Sequence, residues 1–444
     1  MSLHEKINSK KAVIAIVGAG YVGLPNAINF ADAGYKVIAA DINPHAVELL
    51  SKGQSHIKDK VLEEGVKRIN KADKLKATTD VAGAVKEADA VIISVPTPTI
   101  GNLPDLKFLE NSCKLVAKGL GGNEKLVVTE STTPPGTCRN FTLPILENES
   151  GLKCGKDFFL GHCLERINPG DNEHTLKNIP RVLGGIDEKS GELIEELYKS
   201  VTNAKIIRAS SPEVAETAKL VENIQRDINI AYINEVALAC EKIGVDAKEV
   251  IEACKTKWNW YNAMPGPGVG GHCLPNNAYY FVSVAEKKGF HPQIIPLARI
   301  INDSMPHHVV ELVESALNEA RKPLNGSEIS VLGVAYKPNT DDARQSPAYA
   351  IVRELREKGA RITIHDPHVR KENLDKIHSV QAKSLEEALK AKDALVLLCA
   401  HDEYKKITPQ KIRANAVIDA VFVIDALEAR KQKKIFRRVG TAIT

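Results

Sequence analysis

Val13-Ile14-Ala15-Ile16-Val17-Gly18-Ala19-Gly20-Tyr21-Val22-Gly23 decides the fold. Five apolar residues in an unbroken run are what a central parallel strand, buried on both faces, requires. The run feeds a G-x-G-x-x-G turn, then a helical stretch from Leu24 to Ala33, then a second strand from Lys36 to Ala40 that ends at Asp41. In this context each glycine has a reason. Gly18 makes the turn, Gly20 lets the backbone approach a pyrophosphate, and Gly23 lets helix and strand pack closely. Residues Gly18 to Gly23, with Tyr21 and Val22 between the glycines, are thus read as a dinucleotide site. Asp41 would bond an adenosine ribose 2′-hydroxyl and repel a 2′-phosphate, which selects NAD over NADP.

The strand–helix alternation continues outward. Ala90 to Val95 runs into Pro96-Thr97-Pro98, and Lys125 to Thr129 runs into Glu130-Ser131-Thr132-Thr133-Pro134-Pro135-Gly136-Thr137. Both loops follow strand C-termini, where doubly wound sheets bind ligands. Thr97 and Thr132 can reach the nicotinamide half or a catalytic water there; both loops can equally be proline-stiffened turns. Asp157 to His162 and Arg181 to Gly185 read as further strands, and between them the charged pair Glu165-Arg166 interrupts an apolar approach.

A degenerate second copy lies near the end of the chain. Ile329 to Val334, Pro347 to Lys358 and Arg361 to His365 repeat strand, helix and strand, with Gly333, Gly359 and Asp366 where Gly18, Gly34 and Asp41 stand in the first. Its first turn lacks the glycine fingerprint, so Lys337 and Arg344 would supply charge to a phosphate ligand where glycine amides did before. Ala394 to Cys399 and Ala416 to Asp419 add two strands. The basic run Arg430 to Arg438 is expected to be a solvated final helix. The expected class is α/β, with two Rossmann-like doubly wound domains.

Between the copies, Ser211-Pro212-Glu213 starts a helix with Ser211 as cap and Pro212 in its first turn. No residue breaks it before about Ile243, so it is roughly 45 Å long at 1.5 Å per residue. That length suits a central spine and pairing across a dimer. Lys219, Asn223 and Arg226 share one stripe of it, either a solvated face or an anion or hydroxyl site. A second helical region spans Pro296 to Ala320. Before it comes Asn262 to Tyr280, N-A-M-P-G-P-G-V-G-G-H-C-L-P-N-N-A-Y-Y, whose glycines include Gly268 and Gly271. Glycine at this density removes side chains where a ligand would be blocked. Cys273, just ahead of a helix, sits where the helix dipole favours the thiolate, the form that attacks carbonyls; the competing reading is a buried structural cysteine.

Composition frames these readings. A chain of 444 residues implies two or three domains, and a formal charge of +4 is too small to be a nucleic-acid signature. The eight cysteines contain no C-x-x-C pair, so neither a disulfide framework nor a zinc ribbon is expected. Cys154, His162 and Cys163 match no metal-site spacing, and no metal is expected. No run approaches the roughly 20 apolar residues of a membrane span, and no secretory segment is visible, which points to the cytoplasm. Met1-Ser2-Leu3 is given no structural weight.

These motifs together resemble the UDP-glucose/GDP-mannose dehydrogenase family almost end to end. The resemblance rests on G-A-G-Y-V-G at 18–23, V-P-T-P at 95–98, E-S-T-x-P-P-G-T at 130–137 and E-R at 165–166. It continues with K-L-V-E-N at 219–223, G-P-G-V-G-G-H-C at 266–273 and Y-K-P-N-T-D-D-x-R-x-S-P at 336–347. It implies an NAD domain over 1–210, a helical dimerising middle with the cysteine loop over 211–322, and a UDP-sugar domain over 323–444. G-G-H-C, with Pro169 in place of a second acid, is similar to the branch acting on UDP-N-acetylhexosamines. UDP-glucose as substrate is the alternative.

The resemblance also implies roles in a four-electron oxidation at C6. Lys219 or a water takes the hydroxyl proton, Cys273 captures the aldehyde, and Lys219 and Asn223 stabilise the oxyanions. Glu165 with Thr132 activates the hydrolytic water. Arg166, Arg226, Lys337 and the backbone at Gly268 and Gly271 contact substrate, as does Arg344, which a dimer partner would donate. Two departures stand out. The family's P-E-R is Leu164-Glu165-Arg166, and its C-x-x-x-D becomes Cys273-Leu274-Pro275-Asn276-Asn277. Asn277 can orient a lysine or a water but cannot accept a proton as a carboxylate does. That substitution keeps open a homologue that binds nucleotide sugar with impaired catalysis. A β-hydroxyacid dehydrogenase shares the NAD domain, long helix and Lys/Asn pair, but needs neither the cysteine loop nor a second nucleotide domain.

Overall fold

The computed structural model describes residues 1–167 and 175–442, so the Asn168-Pro169-Gly170 reading lies outside the described residues. The chain divides into two compact units, Met1–Glu222 with Tyr279–Phe290, and Asn223–Ala278 with His291 onward.

The first unit holds β1 (Val13–Val17), β2 (Lys36–Ala40), β3 (Leu75–Thr78), β4 (Ala90–Ile93), a short hairpin of β5 (Thr99–Ile100) and β6 (Leu103–Pro104), then β7 (Lys125–Thr129), β8 (Phe158–Cys163), β9 (Arg181–Gly185) and β10 (Ile206–Arg208). Its main sheet runs β10-β9-β8-β7-β4-β1-β2-β3 and is parallel except where β8 meets β9. The unbroken apolar run of β1 works because both faces are covered. Ile14 and Ile16 pack with Leu24 and Phe30 on one side, while Ala15 and Val17 pack with Val85 and Leu109 on the other. Each fully buried Ile or Leu there contributes about 1.5–3 kcal/mol.

In the second unit β11 (Glu328–Leu332), β12 (Arg361–His365), β13 (Val380–Gln381), β14 (Ala394–Leu397), β15 (Ala416–Asp419) and β16 (Ile435–Arg438) form a parallel sheet. Its order, β13-β12-β11-β14-β15-β16, reproduces the winding of the first sheet around β1. The internal repeat extends to single residues. Gly18 and Gly333 have φ of +93° and +91°, and a Cβ on either would come within 2.6 Å of Ser94 O or 2.5 Å of the Cys399 Cβ.

The helix Pro212–Ile243 starts in the first unit and ends in the second, as its uninterrupted sequence predicts. Within the second unit the buried Asp227 on this helix accepts from Arg299 Nη1 at 2.7 Å and from Asn302 Nδ2 at 2.9 Å, which fixes it to the helix Ile294–Glu319. No helix among the described residues is long and apolar enough to cross a membrane.

Two expectations fail. The terminal basic run is not a solvated helix: a short helix, Ala426–Lys431, gives way to β16, where Arg437 and Arg438 are buried. Parallel pairing with β15 sets Arg438 beside Asp419, which it meets at 3.2 Å, while Arg437 pairs with Glu319. Nor is the amino terminus without weight. Ser2 caps a helix, Leu3–Asn8, through a capping box with Glu5, and Leu3 and Ile7 are buried in the core beneath it.

Candidate active site

The dinucleotide fingerprint has the geometry its sequence requires. A Cβ on Gly23 would lie 1.8 Å from Gly18 O, so only glycine allows the first helix so close to the turn. A Cβ on Gly20 would meet nothing within 4 Å, and the backbone there faces open space. Asp41, at the end of β2, accepts the Ala19 N–H at 2.8 Å through Oδ2 and the Asn43 N–H at 2.9 Å through Oδ1. Tyr21 is exposed and Val22 half-buried at the head of the helix Gly23–Asp32. A tight first turn, an open second glycine and an acid at the end of β2 fit NAD.

The two loops that follow β4 and β7 are tied together. Thr97 Oγ1 donates to Thr132 O at 2.6 Å, and the Ser131 hydroxyl bridges Val95, accepting its N–H at 2.9 Å and donating to its C=O at 2.8 Å. Tyr280 donates to Thr97 O from the side. The proline-stiffened turn and the ligand-facing loop are therefore compatible readings of one structure.

Beneath these loops lies a buried group that sequence reading missed. Glu130 accepts from Tyr198 OH at 2.5 Å, from Arg181 Nη1 and Ser94 Oγ at 3.2 Å each, and from Asn26 Nδ2. Glu216 is a second: its carboxylate takes the N–H groups of Gly136 at 2.6 Å and Cys138 at 2.7 Å and the Thr133 hydroxyl at 3.3 Å. Burial lifts its pKa to about 7 despite those donors.

Glu165 follows β8 directly and is 6% exposed. Both of its oxygens accept the Ile167 N–H at 2.6 Å. Burial raises its pKa, opposed by the positive charges of Arg181 and Lys219, so its proton affinity moves toward the range a general base needs. Arg166 points elsewhere: its guanidinium is paired with Glu222 and donates to Pro180 O at 2.6 Å. Lys219 is half-buried on the long helix. His162 stays neutral, because burial drives its pKa down to about 3 with Lys219 adding to the effect. Among the described residues no group of three or more His, Cys, Asp or Glu is placed to hold a metal.

In the second unit the glycine-rich loop is close to protein rather than only to ligand. A Cβ on Gly270 would sit 2.6 Å from the Tyr336 Cβ, and one on Gly271 would sit 2.8 Å from its ring. Gly268, at φ +127°, lies against Pro306 and Pro347. Gly271 N–H donates to Arg344 O at 2.9 Å, so the loop is pinned to the turn that carries Lys337 and Arg344. These glycines clear space for Tyr336 and the prolines as well. Arg344 is exposed, with Nε and Nη2 on Asp342 at 2.9 and 2.6 Å. Lys337 is half-buried in the same turn.

Cys273 is exposed at the head of the helix Leu274–Lys287, which disposes of the buried structural cysteine. By contrast, burial pushes the thiols of Cys113, Cys163 and Cys399 up to about 12. Asn277, one turn along, donates its N–H to Cys273 O at 2.9 Å. Its side-chain oxygen accepts from Asn223 Nδ2 at 2.5 Å, and Asn223 Oδ1 accepts from Arg226 Nη2 at 2.9 Å. The structure thus brings Asn223, Arg226 and Asn277 together within this unit.

A cavity of about 250 Å³ lies beyond the C-terminal ends of β11, β14 and β15, lined in part by Gly268, Tyr336, Ser346, Cys399 and Phe422. This is where a doubly wound sheet binds ligands. Below it Asp366 accepts the N–H groups of Val334 and Ala335, as Asp41 does for Ala19. Burial opposes its charge, but His401 and the loop amides outweigh burial and hold its pKa at about 2.

Three family models match in sequence. They are the NAD binding domain of the UDP-glucose/GDP-mannose dehydrogenase family over residues 12–202, its central domain over 213–304 and its UDP binding domain over 330–432. The UDP-N-acetyl-D-mannosamine dehydrogenase of Pyrococcus horikoshii is 37% identical, over 93% of this chain and 96% of its own length. The UDP-N-acetyl-D-glucosamine 6-dehydrogenase of Pseudomonas aeruginosa is 36% identical, over 91% and 94%. Among solved structures, that of UDP-D-ManNAc dehydrogenase from Pyrococcus horikoshii superposes with a TM-score of 0.89 at 36% identity, covering 96% of this chain and 99% of that one.

Proposed function

The chain belongs to the UDP-glucose/GDP-mannose dehydrogenase family, and from that premise we infer that it oxidises C6 of a UDP-N-acetylhexosamine to the carboxylate in two steps. The observation that carries this reading is the exposed Cys273 thiol at the head of its helix. NAD, when bound, accepts the hydride released at each oxidation. Gly18 to Gly23 and Asp41 hold it, with Thr97 and Thr132 at the nicotinamide half.

The remaining steps fall to the protein's own side chains. Lys219, or a water, takes the proton of the 6-hydroxyl as the alcohol becomes an aldehyde. The Cys273 thiolate adds to the aldehyde carbon to give a thiohemiacetal, and loss of the second hydride leaves a thioester. Lys219 and Asn223 stabilise the oxyanions. A water activated by Glu165, with Thr132, then displaces the thiolate and releases the uronate. Arg166, Arg226, Lys337, Arg344 and the backbone at Gly268 and Gly271 bind the nucleotide sugar. Of these, Arg166 is engaged by Glu222 and Arg344 by Asp342, so binding by either begins with release of that carboxylate.

The working division is an NAD domain over 1–210, a dimerising helical domain over 211–322 and a UDP-sugar domain over 323–444. The enzyme acts as a cytoplasmic homodimer whose partner donates Arg344. Mannosamine, glucosamine and galactosamine epimers are the candidate sugars, with UDP-glucose as the alternative. Asn277, which cannot act as a base, favours a second reading: a homologue that binds nucleotide sugar with impaired turnover.

The test is NADH formed per sugar consumed across UDP-glucose and the three UDP-N-acetylhexosamines. Two NADH per sugar, with uronate as product, supports the proposal and names the substrate. Binding without NADH for every sugar supports the impaired homologue.

A further inference from the structure

The antiparallel junction of β8 and β9 sets a buried cation opposite the buried Glu165. Pairing runs Gly161 with Gly185, His162 with Gly184 and Cys163 with Leu183. The Leu164 N–H, bonded to Val182 O at 3.0 Å, carries the register one step further. Glu165 and Arg181 are the next residues opposed, and both are buried. Directly opposed side chains stand on one face of a sheet, with Cβ atoms about 4.5–5.5 Å apart. The neighbours agree with this placement. Arg181 Nη1 lies 3.7 Å from the Cys163 sulfur on that face, whereas Leu164 and Val182 pack with Ala215 on the other.

Arg181 serves two carboxylates. Nη1 donates to Glu130 Oε1 at 3.2 Å and Nη2 to Asn26 Oδ1 at 3.4 Å, with the guanidinium over the Tyr198 ring. Glu130 is also served by Tyr198, Ser94 and Asn26. Burial pushes Glu165 toward its protonated form. Arg181 from β9 and Lys219 from the long helix oppose that, and Glu130 from the loop after β7 reinforces it. Arg166, next in the chain, is engaged by Glu222. All of these groups lie in the first compact unit.

We propose that Arg181 is a positioning residue for the hydrolytic step: its guanidinium, buried opposite Glu165, keeps that carboxylate ionised and ready to take a proton. This rests on the function proposed above. In that step the water oxygen bonds to the thioester carbon as Glu165 takes one of the water's protons. The C–S bond then breaks, its electron pair leaves with the thiolate, and Glu165 gives its proton to solvent. A Glu165 already protonated at the outset could not act as the base.

Variants of the buried pair should push the titration of Glu165 in opposite directions, which a merely structural role would not. The readouts are the carboxyl ¹³C resonance of Glu165 in labelled protein, assigned by its loss in Glu165→Gln, and the pH profile of kcat for two-NADH turnover. Glu130→Gln removes the opposing negative charge and should lower the Glu165 midpoint. Arg181→Met with Glu130→Gln removes both charges and should raise it by about one pH unit. An opposite charge at this range lowers a carboxyl by about 1–3 units, and loss of the Glu130 charge offsets part of that. The acidic limb of kcat should move to higher pH with the midpoint, with KM for the UDP-sugar nearly unchanged. Arg181→Lys keeps the charge and should stay near wild type. Arg181→Gln with Glu130→Gln is a second neutral pair, whose amides can still bond each other, should the first fail to fold. An unchanged Glu165 midpoint in a folded neutral pair overturns the proposal. So does a midpoint that moves while the kcat limb stays, since the carboxylate would then not govern turnover. A wild type that yields no NADH from any sugar rejects the proposed function itself, and the hydrolytic role of Arg181 falls with it.

Discussion

Glu216, on the long helix, holds the backbone N–H of Cys138 at 2.7 Å. Together with its bond to Gly136 at 2.6 Å, this clamps the far end of the loop that carries Thr132. Burial raises the Glu216 pKa from 4.5 to about 7. A carboxyl whose folded pKa is raised binds its proton more tightly in the native state. Its contribution to stability is present below the unfolded pKa and is lost as pH rises through the folded one. Wild-type protein should therefore lose thermal stability between about pH 4.5 and about pH 7 by an increment that Glu216→Gln lacks. Thermal midpoints of both proteins across that range check this; parallel curves would refute it.

Arg181 and Glu130 form a buried ion pair at 3.2 Å, with side chains 4% and 0% exposed. Arg181→Met leaves Glu130 charged and buried with its hydroxyl and amide donors alone. The expected loss is about 3–5 kcal/mol, since removing one partner strands the other. Adding Glu130→Gln should return much of that loss. Chemical denaturation of the two variants is the measurement, and equal stabilities would show that the pair is not coupled.

How far the sequence discloses this molecule depends on whether a signal is local. Gly18, Gly20 and Gly23 act within six residues of one another, so their spacing states their job. The second copy is visible without any fingerprint, because its strands and its Gly333 and Asp366 recur in order. Ser2 and Glu5 also carried a local signal, the capping box, which could have revealed the first helix. Glu130 is different. Asn26 and Arg181, which meet it, are 155 residues apart in the chain, and nothing near either announces the other. The glycines at 268–271 told of a close approach but not that Tyr336 was what approached. Arg437 and Arg438 belong to a basic run that ordinarily faces water. Only pairing of β16 with β15 reveals the buried Asp419 that holds Arg438.

The two glycines of the fingerprint should separate stability from binding. Gly23→Ala forces a Cβ to within 1.8 Å of Gly18 O and must move the helix. It should lower the thermal midpoint and weaken NAD binding together. Gly20→Ala meets nothing within 4 Å, so its midpoint should match wild type while NAD affinity falls by roughly tenfold or more, because backbone approach is what that glycine permits. Thermal scans with fluorescence titration of NADH distinguish the two; equal NAD affinity in Gly20→Ala would remove that residue from the site.

Cys273→Ser tests whether covalent capture carries the second oxidation. A serine hydroxyl at the head of the same helix preserves shape but is a far weaker nucleophile at neutral pH than a thiolate. The first hydride transfer does not need the sulfur, so the variant should form at most one NADH per sugar, with the aldehyde as product. Loss of turnover should exceed roughly 100-fold for the complete reaction, on the order expected when a nucleophile is removed. Trapping with hydroxylamine adds a second readout: the wild-type thioester should be diverted to a hydroxamate, and the serine variant should give none. Two NADH per sugar from Cys273→Ser at the wild-type rate would remove the thiol from the mechanism and leave the second oxidation to proceed through the aldehyde hydrate.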